Sequence, residues 1–354
     1  MSFQQVSIKN FRAIESLEMD NIKQVNLLTG KNNCGKTSVL EAIFLLAGMS
    51  NPRLVLDVHH FRQLALANSE EFRYLFNGLD LSRDPSITGR RKSETRSLEM
   101  RPVFRAFMGE VSGEHHASED TFIPGTSTVT KDTIEKLALD FSTNGNEPFH
   151  AEIRLNDKRF EFMTTTHYKE YLKASFIYPR MGMDGLNHRL GAILVRKGLN
   201  KIINPLKEIE PNLSDIRIGA EGIIYADTGM DELLPINVMG DGIIKILTIL
   251  VAMLEMENGI LLIDEIENGL HHSALVPLWK AIFKMASASN VQLFIATHSY
   301  ECIDAMADVY RESGMGEDFI SLFRIEQDEG GRHYAVRHKA NTLLTSIEKN
   351  FEVR

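Results

Sequence analysis

Apolar and polar residues alternate over Phe3–Ile8, and the short stretch Leu17–Met19 can pair with it as a second strand. Val25–Leu28 is a brief apolar run that enters a glycine. Over Thr37–Ala47 the apolar residues Val39, Leu40, Ile43, Phe44, Leu46 and Ala47 recur at helical spacing, and Asn51-Pro52 stops that helix. An amphipathic helical pattern follows from residue 53 to 80. From 82 to 150 the periodicity is weak, with Asp84-Pro85, Thr88-Gly89, Gly113 and Gly125 punctuating short β-like pieces. Phe160–Met163 and Ala174–Tyr178 read as strands, and Leu186–Ile209 as helix.

Beyond Pro235 the pattern sharpens. Ile243–Met256 is apolar on most sides and predicts a buried helix. Strands at Ile260–Ile263 and Val291–Ala296 alternate with helices at Leu275–Ala286 and Tyr300–Glu312. Continuously apolar strands between helices predict a parallel sheet covered on both faces. Strands near Phe319–Ile325 and Tyr334–Arg337 and a helix from Asn341 close the chain.

A length of 354 residues suggests roughly two domains. With 43% hydrophobic and 25% charged residues, the composition excludes a disordered chain, a collagen-like repeat and a small disulfide scaffold. The net charge of −9 excludes coating nucleic acid by bulk charge, so any DNA contact must be local. Arg90, Arg91, Lys92, Arg96, Arg101 and Arg105 form the one basic stretch that could supply it, although such a run also serves as a solvated loop. Cys34 and Cys302 are far apart with no CxxC pair, which fits a reducing compartment. The apolar run Ile243–Leu254 contains Lys245 and is too short to span a bilayer, and no secretory pattern opens the chain. The expectation is a cytoplasmic protein without a membrane partner.

Gly30-Lys31-Asn32-Asn33-Cys34-Gly35-Lys36-Thr37 fits GxxxxGK[ST] in full, between an apolar strand and an amphipathic helix. The glycines let the backbone aim successive N–H groups at phosphate oxygens. Lys36 supplies a point charge at the β and γ phosphates, the Thr37 hydroxyl can ligate Mg²⁺, and the helix adds its positive end. Cys34 reads as a passive small residue of the loop, and Ser38 continues the nucleotide-binding set. The strand Ile260–Ile263 ends in Asp264 and Glu265. Asp264 is placed to hold Mg²⁺, directly or through water, and Glu265 to accept a proton from the attacking water. His298, in Thr297-His298-Ser299 after the next apolar strand, can hydrogen-bond the γ-phosphate or hold that water. Gly240-Asp241-Gly242 opens the buried helix and exposes N–H groups as an anion site.

Together with Ile8-Lys9-Asn10-Phe11-Arg12, the turn Met239–Gly242, the run Leu261–His272 and Ala296–Ser299, these motifs resemble an ABC-type ATPase head of the branch containing RecF, SMC and OLD proteins. The resemblance covers residues 1 to 50 and 235 to 305. It implies an α/β P-loop NTPase with a mostly parallel core sheet, an antiparallel β subdomain and a helical or irregular insert. The core would span 1–52 and 235–354, and the inserted lobe 53–234. It further implies that two heads sandwich two ATPs, each phosphate loop facing the Gly240–Gly242 turn of the other. Here Met-Gly-Asp-Gly replaces the usual Ser-Gly-Gly-Glu series. Arg12 would lie near the base, and His271 at the dimer interface. No glutamine marks the Q-loop, whose place Ser175–Met181 would take. No Toprim nuclease follows and no coiled coil intervenes, so the chain is similar to stand-alone ATPase subunits of phage-defence systems.

Three functions fit this reading. The first is an ATP-dependent switch that forms a homodimer or higher oligomer and controls a separate nuclease or toxin. The second is a RecF-like DNA-binding ATPase of repair or replication. The third is a small-molecule kinase, which alone predicts phosphate transfer to an acceptor.

Overall fold

The structure is a computed structural model that describes residues 2–104, 133–156, 159–164, 167–179, 181, 183, 185–328 and 330–348, with only the backbone at 343 and 346–348. Arg105, Arg180, His115-His116, Gly113 and Gly125 lie outside the described residues. The chain opens with the hairpin β1 (Phe3–Phe11) and β2 (Ile14–Asp20), then β3 (Val25–Thr29), α1 (Lys36–Ala47) and α2 (Leu54–His60). Five strands follow: β4 (Ser86–Arg91), β5 (Thr95–Phe104), β6 (Ile134–Thr143), β7 (Phe149–Asn156) and β8 (Arg159–Thr164). Next come β9 (Ala174–Ile177), α3 (Leu186–Val195), α4 (Asn200–Ile209), and the short strands β10 (Asp215–Ile218), β11 (Ile224–Asp227) and β12 (Leu234–Pro235). The last third holds α5 (Asp241–Glu255), β13 (Ile260–Ile263), α6 (Leu275–Ser289), β14 (Gln292–Ala296), α7 (Tyr300–Ser313), β15 (Ile320–Gln327), β16 (His333–Lys339) and α8 (Ala340–Glu348).

The core sheet runs β16-β15-β3-β14-β13-β9, parallel throughout except for the antiparallel edge strand β16. β3, β13 and β14 are buried at every position, as strands covered on two faces are; β13 is apolar throughout, while the buried Asn26 of β3 and Gln292 of β14 are satisfied by backbone hydrogen bonds. One face packs under α3 to α7. The other packs on α1 and on a seven-stranded antiparallel sheet, β2-β1-β4-β5-β6-β7-β8. α1 lies between the two sheets and is buried from Ser38 to Ala47, so it has no solvent face. Among the described residues no helix is long and apolar enough to cross a membrane.

Both sheets draw strands across the boundaries at 52 and 235. β1 and β2 belong to the antiparallel sheet, and β9 forms an edge of the core sheet. The helical pattern over 53 to 80 yields only α2, followed by 3-10 turns at Ser69–Leu75 and Asn77–Leu79. Its apolar residues anchor separately: Phe72, Leu75 and Phe76 sink into the core of the antiparallel sheet, and Phe76 bridges Phe11. The expected helix 186–209 breaks into α3 and α4 around Gly198, whose N–H closes the first helix on the Ile193 carbonyl.

Candidate nucleotide site

β3 delivers the chain to the loop at Gly30, whose φ is +133°. A Cβ there would stand 2.4 Å from the Ile325 carbonyl oxygen, so the β15 backbone fits against this loop only with glycine. Gly35, at φ +94°, caps α1 and turns the loop into the helix. Lys36 Nζ donates to the carbonyls of Gly30 at 2.8 Å and Lys31 at 2.9 Å, which folds the ammonium over the loop.

A cavity of about 630 Å³ opens beside the loop, a volume in the usual range for small-ligand sites. Asn32, Asn33, Gly35, Lys36, Thr37 and Ser38 line it from the loop, with Ala13 and Arg62 alongside. Asp264, Glu265, Thr297 and His298 line it from the carboxyl ends of β13 and β14. Gly30, Lys31 and Cys34 face a second cavity on the loop's other side.

Thr37 Oγ1 donates to Asp264 Oδ2 at 2.8 Å, which joins residues 227 apart in the chain. Burial pushes the Asp264 carboxyl above its usual range, the Thr37 hydrogen bond pulls it back, and the neighbouring Glu265 adds to the rise. A hydroxyl and a carboxylate converging on a phosphate loop are hard oxygen donors, the kind of set Mg²⁺ takes. Glu265 follows at φ +48°, a left-handed conformation that non-glycine residues rarely adopt. His298 is held by Glu267: its backbone N–H donates to Glu267 Oε1 at 2.9 Å, and its Nδ1 lies 3.1 Å from the same oxygen. Ser299 then caps α7 by accepting from the Cys302 N–H.

Arg12 does not line this cavity. Its guanidinium is buried against Glu41 at 2.6 Å and donates to the carbonyls of Val58 and Tyr74. Burial drives it down to about 10, against the pull of Glu41. The arginine on the cavity wall is Arg62, which grips both oxygens of Glu41 at 2.7 and 3.0 Å and donates to Ser38 Oγ. Phe61 fixes the approach of this residue by stacking on Phe176 and Tyr178 at 4.9 and 4.7 Å. The signal for this cluster was the lone acid, Glu41, in the apolar run Val39–Ala47. A third acid, Glu267, stands two residues past Glu265.

Gly240, Asp241 and Gly242 do not line the cavity either. Gly240 at φ +97° caps α5, and the turn packs on the loop after Glu265, where a Cβ on Gly242 would be 3.1 Å from the Gly269 oxygen. His271 caps the turn before α6 through Ser273 and is exposed. In the basic stretch, Arg91 is buried on Glu94 at 2.7 Å, and Arg96 is fully buried on Glu170. Arg101 pairs with Asp140.

Residues 126–304, half of the chain, match the family described as "AAA domain, putative AbiEii toxin, Type IV TA system", and residues 1–176 match "AAA ATPase domain". The chain is 25% identical to the "ATP/GTP phosphatase" of Helicobacter pylori over 92% of its length and 93% of that protein. It is 34% identical to "DNA replication and repair protein RecF" of Shewanella baltica over 28% of its length and 27% of that protein. Its fold is similar to that in "Crystal structure of the SmcHead bound to the C-winged helix domain of ScpA", with TM-score 0.51 at 10% identity, covering 96% of this chain and 98% of that one. Motifs, fold and family match agree: the chain belongs to this AAA-domain family of ATPases and has the fold of an SMC head.

Proposed function

We propose that this ATPase is a cytoplasmic switch that dimerises around bound ATP and controls a separate nuclease or toxin in anti-phage defence. One observation carries the dimer: the Gly240–Gly242 turn stands outside the cavity its own chain builds. It begins a helix, so its N–H groups suit an anion that a second copy would bring. Val238, two residues earlier, is 70% exposed and gives such a contact an apolar element.

Within the site, Lys36 and the amides at the start of α1 receive the phosphates, and Arg62 adds a second cation held in place by Glu41. Thr37 and Asp264 would hold Mg²⁺, which supplies charge neutralisation at the phosphates. Glu265 accepts the proton of the attacking water, and Glu267 orients His298 toward the same space.

The test uses Glu265→Gln to retain ATP, followed by sedimentation. ATP with Mg²⁺ should convert the variant from monomer to dimer, and adding Asp241→Arg should keep it monomeric with ATP affinity unchanged. A variant that stays monomeric with ATP bound sinks the dimer. Affinity capture of the ATP-bound dimer from its host should bring down a stoichiometric nuclease or toxin-like protein. DNA in place of protein would favour the second reading, a RecF-like DNA-binding ATPase, which the local identity to RecF supports.

A further inference from the structure

Helix α5 begins at the Gly240 turn, and one turn further its Lys245 reaches the loop that carries Glu265. Lys245 Nζ donates to the main-chain oxygen of Glu265 at 3.2 Å, and the Asn268 N–H donates to the same oxygen at 3.0 Å. That carbonyl belongs to the residue held in the left-handed region. Lys245 is half-buried beside buried Ile243, Ile246 and Leu247, a position where a methionine or leucine would pack without desolvating a charge. Burial lowers the Lys245 ammonium below its usual range, and the three acids Glu267, Asp264 and Glu265 offset only part of that, so the chain keeps a cation here at a cost. The close approach of Gly242 to the Gly269 oxygen gives the helix a second contact with the same loop.

We infer that Lys245 is the positioning residue for Glu265. It pins the carbonyl of the acid in its left-handed turn and so couples the direction of the Glu265 carboxylate to the Gly240 turn one helical turn away. A shift of that turn, such as docking of a facing copy would impose, reaches Glu265 through a single rigid segment of helix. This rests on the reading of Glu265 as the proton acceptor, which Glu265→Gln tests separately.

Lys245→Met, Lys245→Gln and Lys245→Arg in the full chain provide the test, with Gln covering the case in which Met does not fold. Hydrogen–deuterium exchange of amides 265–270 without nucleotide reports the loop independently of any chemistry at Glu265. Met and Gln should speed exchange there and lower kcat at least about tenfold, the scale on which misplaced catalytic groups lose rate. The dissociation constant of a fluorescent ATP analogue should stay within about twofold, because the phosphate loop is untouched. Arg should restore both exchange and kcat. Unchanged exchange in Met and Gln overturns the inference, as does a loss of ATP affinity that parallels the loss of kcat. If exchange rises as expected while Glu265→Gln hydrolyses ATP at the wild-type rate, the link from Lys245 to the loop stands and the role of Glu265 falls.

Discussion

Exchanging Glu41 for glutamine perturbs the ion-pair cluster beneath the phosphate loop while keeping side-chain volume nearly constant. Glu41 is fully buried and meets Arg12 at 2.6 Å and Arg62 at 2.7 Å. The two arginines differ: the Arg12 side chain is 6% exposed, whereas Arg62 is 35% exposed and can turn to water. The variant therefore strands one buried guanidinium. Removing one partner of such a pair destabilises by about 3–5 kcal/mol, which lowers the melting temperature of a chain this long by about 4–7 °C. Urea unfolding and calorimetry of Glu41→Gln measure this. The double variant Arg12→Met with Glu41→Met removes both buried charges and should lose much less, since apolar replacement of a buried pair is often neutral. A loss under about 1 kcal/mol in Glu41→Gln would refute the reasoning, because that is the value of a solvated surface pair.

Lys36→Ala should abolish binding of a fluorescent ATP analogue, since the loop keeps its glycines but loses the cation bonded to the Gly30 and Lys31 carbonyls. Gly30→Ala should destabilise the chain, measured as a lower urea midpoint, because the new methyl would stand 2.4 Å from the Ile325 oxygen. His59 is 1% exposed, and burial drives its imidazole from 6.5 down to about 4. Above pH 6.5 it is neutral in both states. Between 6.5 and about 4 the unfolded chain takes a proton that the folded chain refuses, removing up to about 3 kcal/mol of stability. His59→Gln should flatten the melting-temperature profile over that window, and an unchanged slope would count against the assignment.

The phosphate loop and the Asp264-Glu265 strand end were legible because their chemistry is written in consecutive residues flanked by apolar strands. The parallel sheet was legible for a related reason: β13 is apolar throughout, β14 after its first residue, and β3 at three of its five positions. An antiparallel β subdomain was implied by the resemblance and its first hairpin by the alternation over Phe3–Ile8, but β4 and β5 were not separable, because their inward positions hold Arg91 and Arg96, which break the alternation while buried in ion pairs with Glu94 and Glu170. The same pairs hid the fact that two residues of this basic stretch, Arg91 and Arg96, are internal, whereas Arg90, Lys92 and Arg101 are exposed. Arg62 was missed because it lies in a segment whose apolar spacing mimics a continuous helix, and its partner Glu41 is 21 residues away. Arg12 was placed near the nucleotide by resemblance, whereas here it is a buried strut for Glu41.

The order of strands in the core sheet has a consequence for biosynthesis. β3 lies between β14 and β15, so the strand that launches the phosphate loop leaves the ribosome long before either neighbour. Thr37 waits for an Asp264 that is 227 residues downstream, on the order of 10 to 45 s at ordinary translation rates. Through that interval β3 presents two unpaired edges, while the strands of the antiparallel sheet up to β8 have all been made. A nascent chain therefore has its phosphate loop without its acids. On the proposed roles of Asp264 and Glu265, hydrolysis would have to wait for them, and the open edges of β3 mark the period in which the growing chain most needs a chaperone.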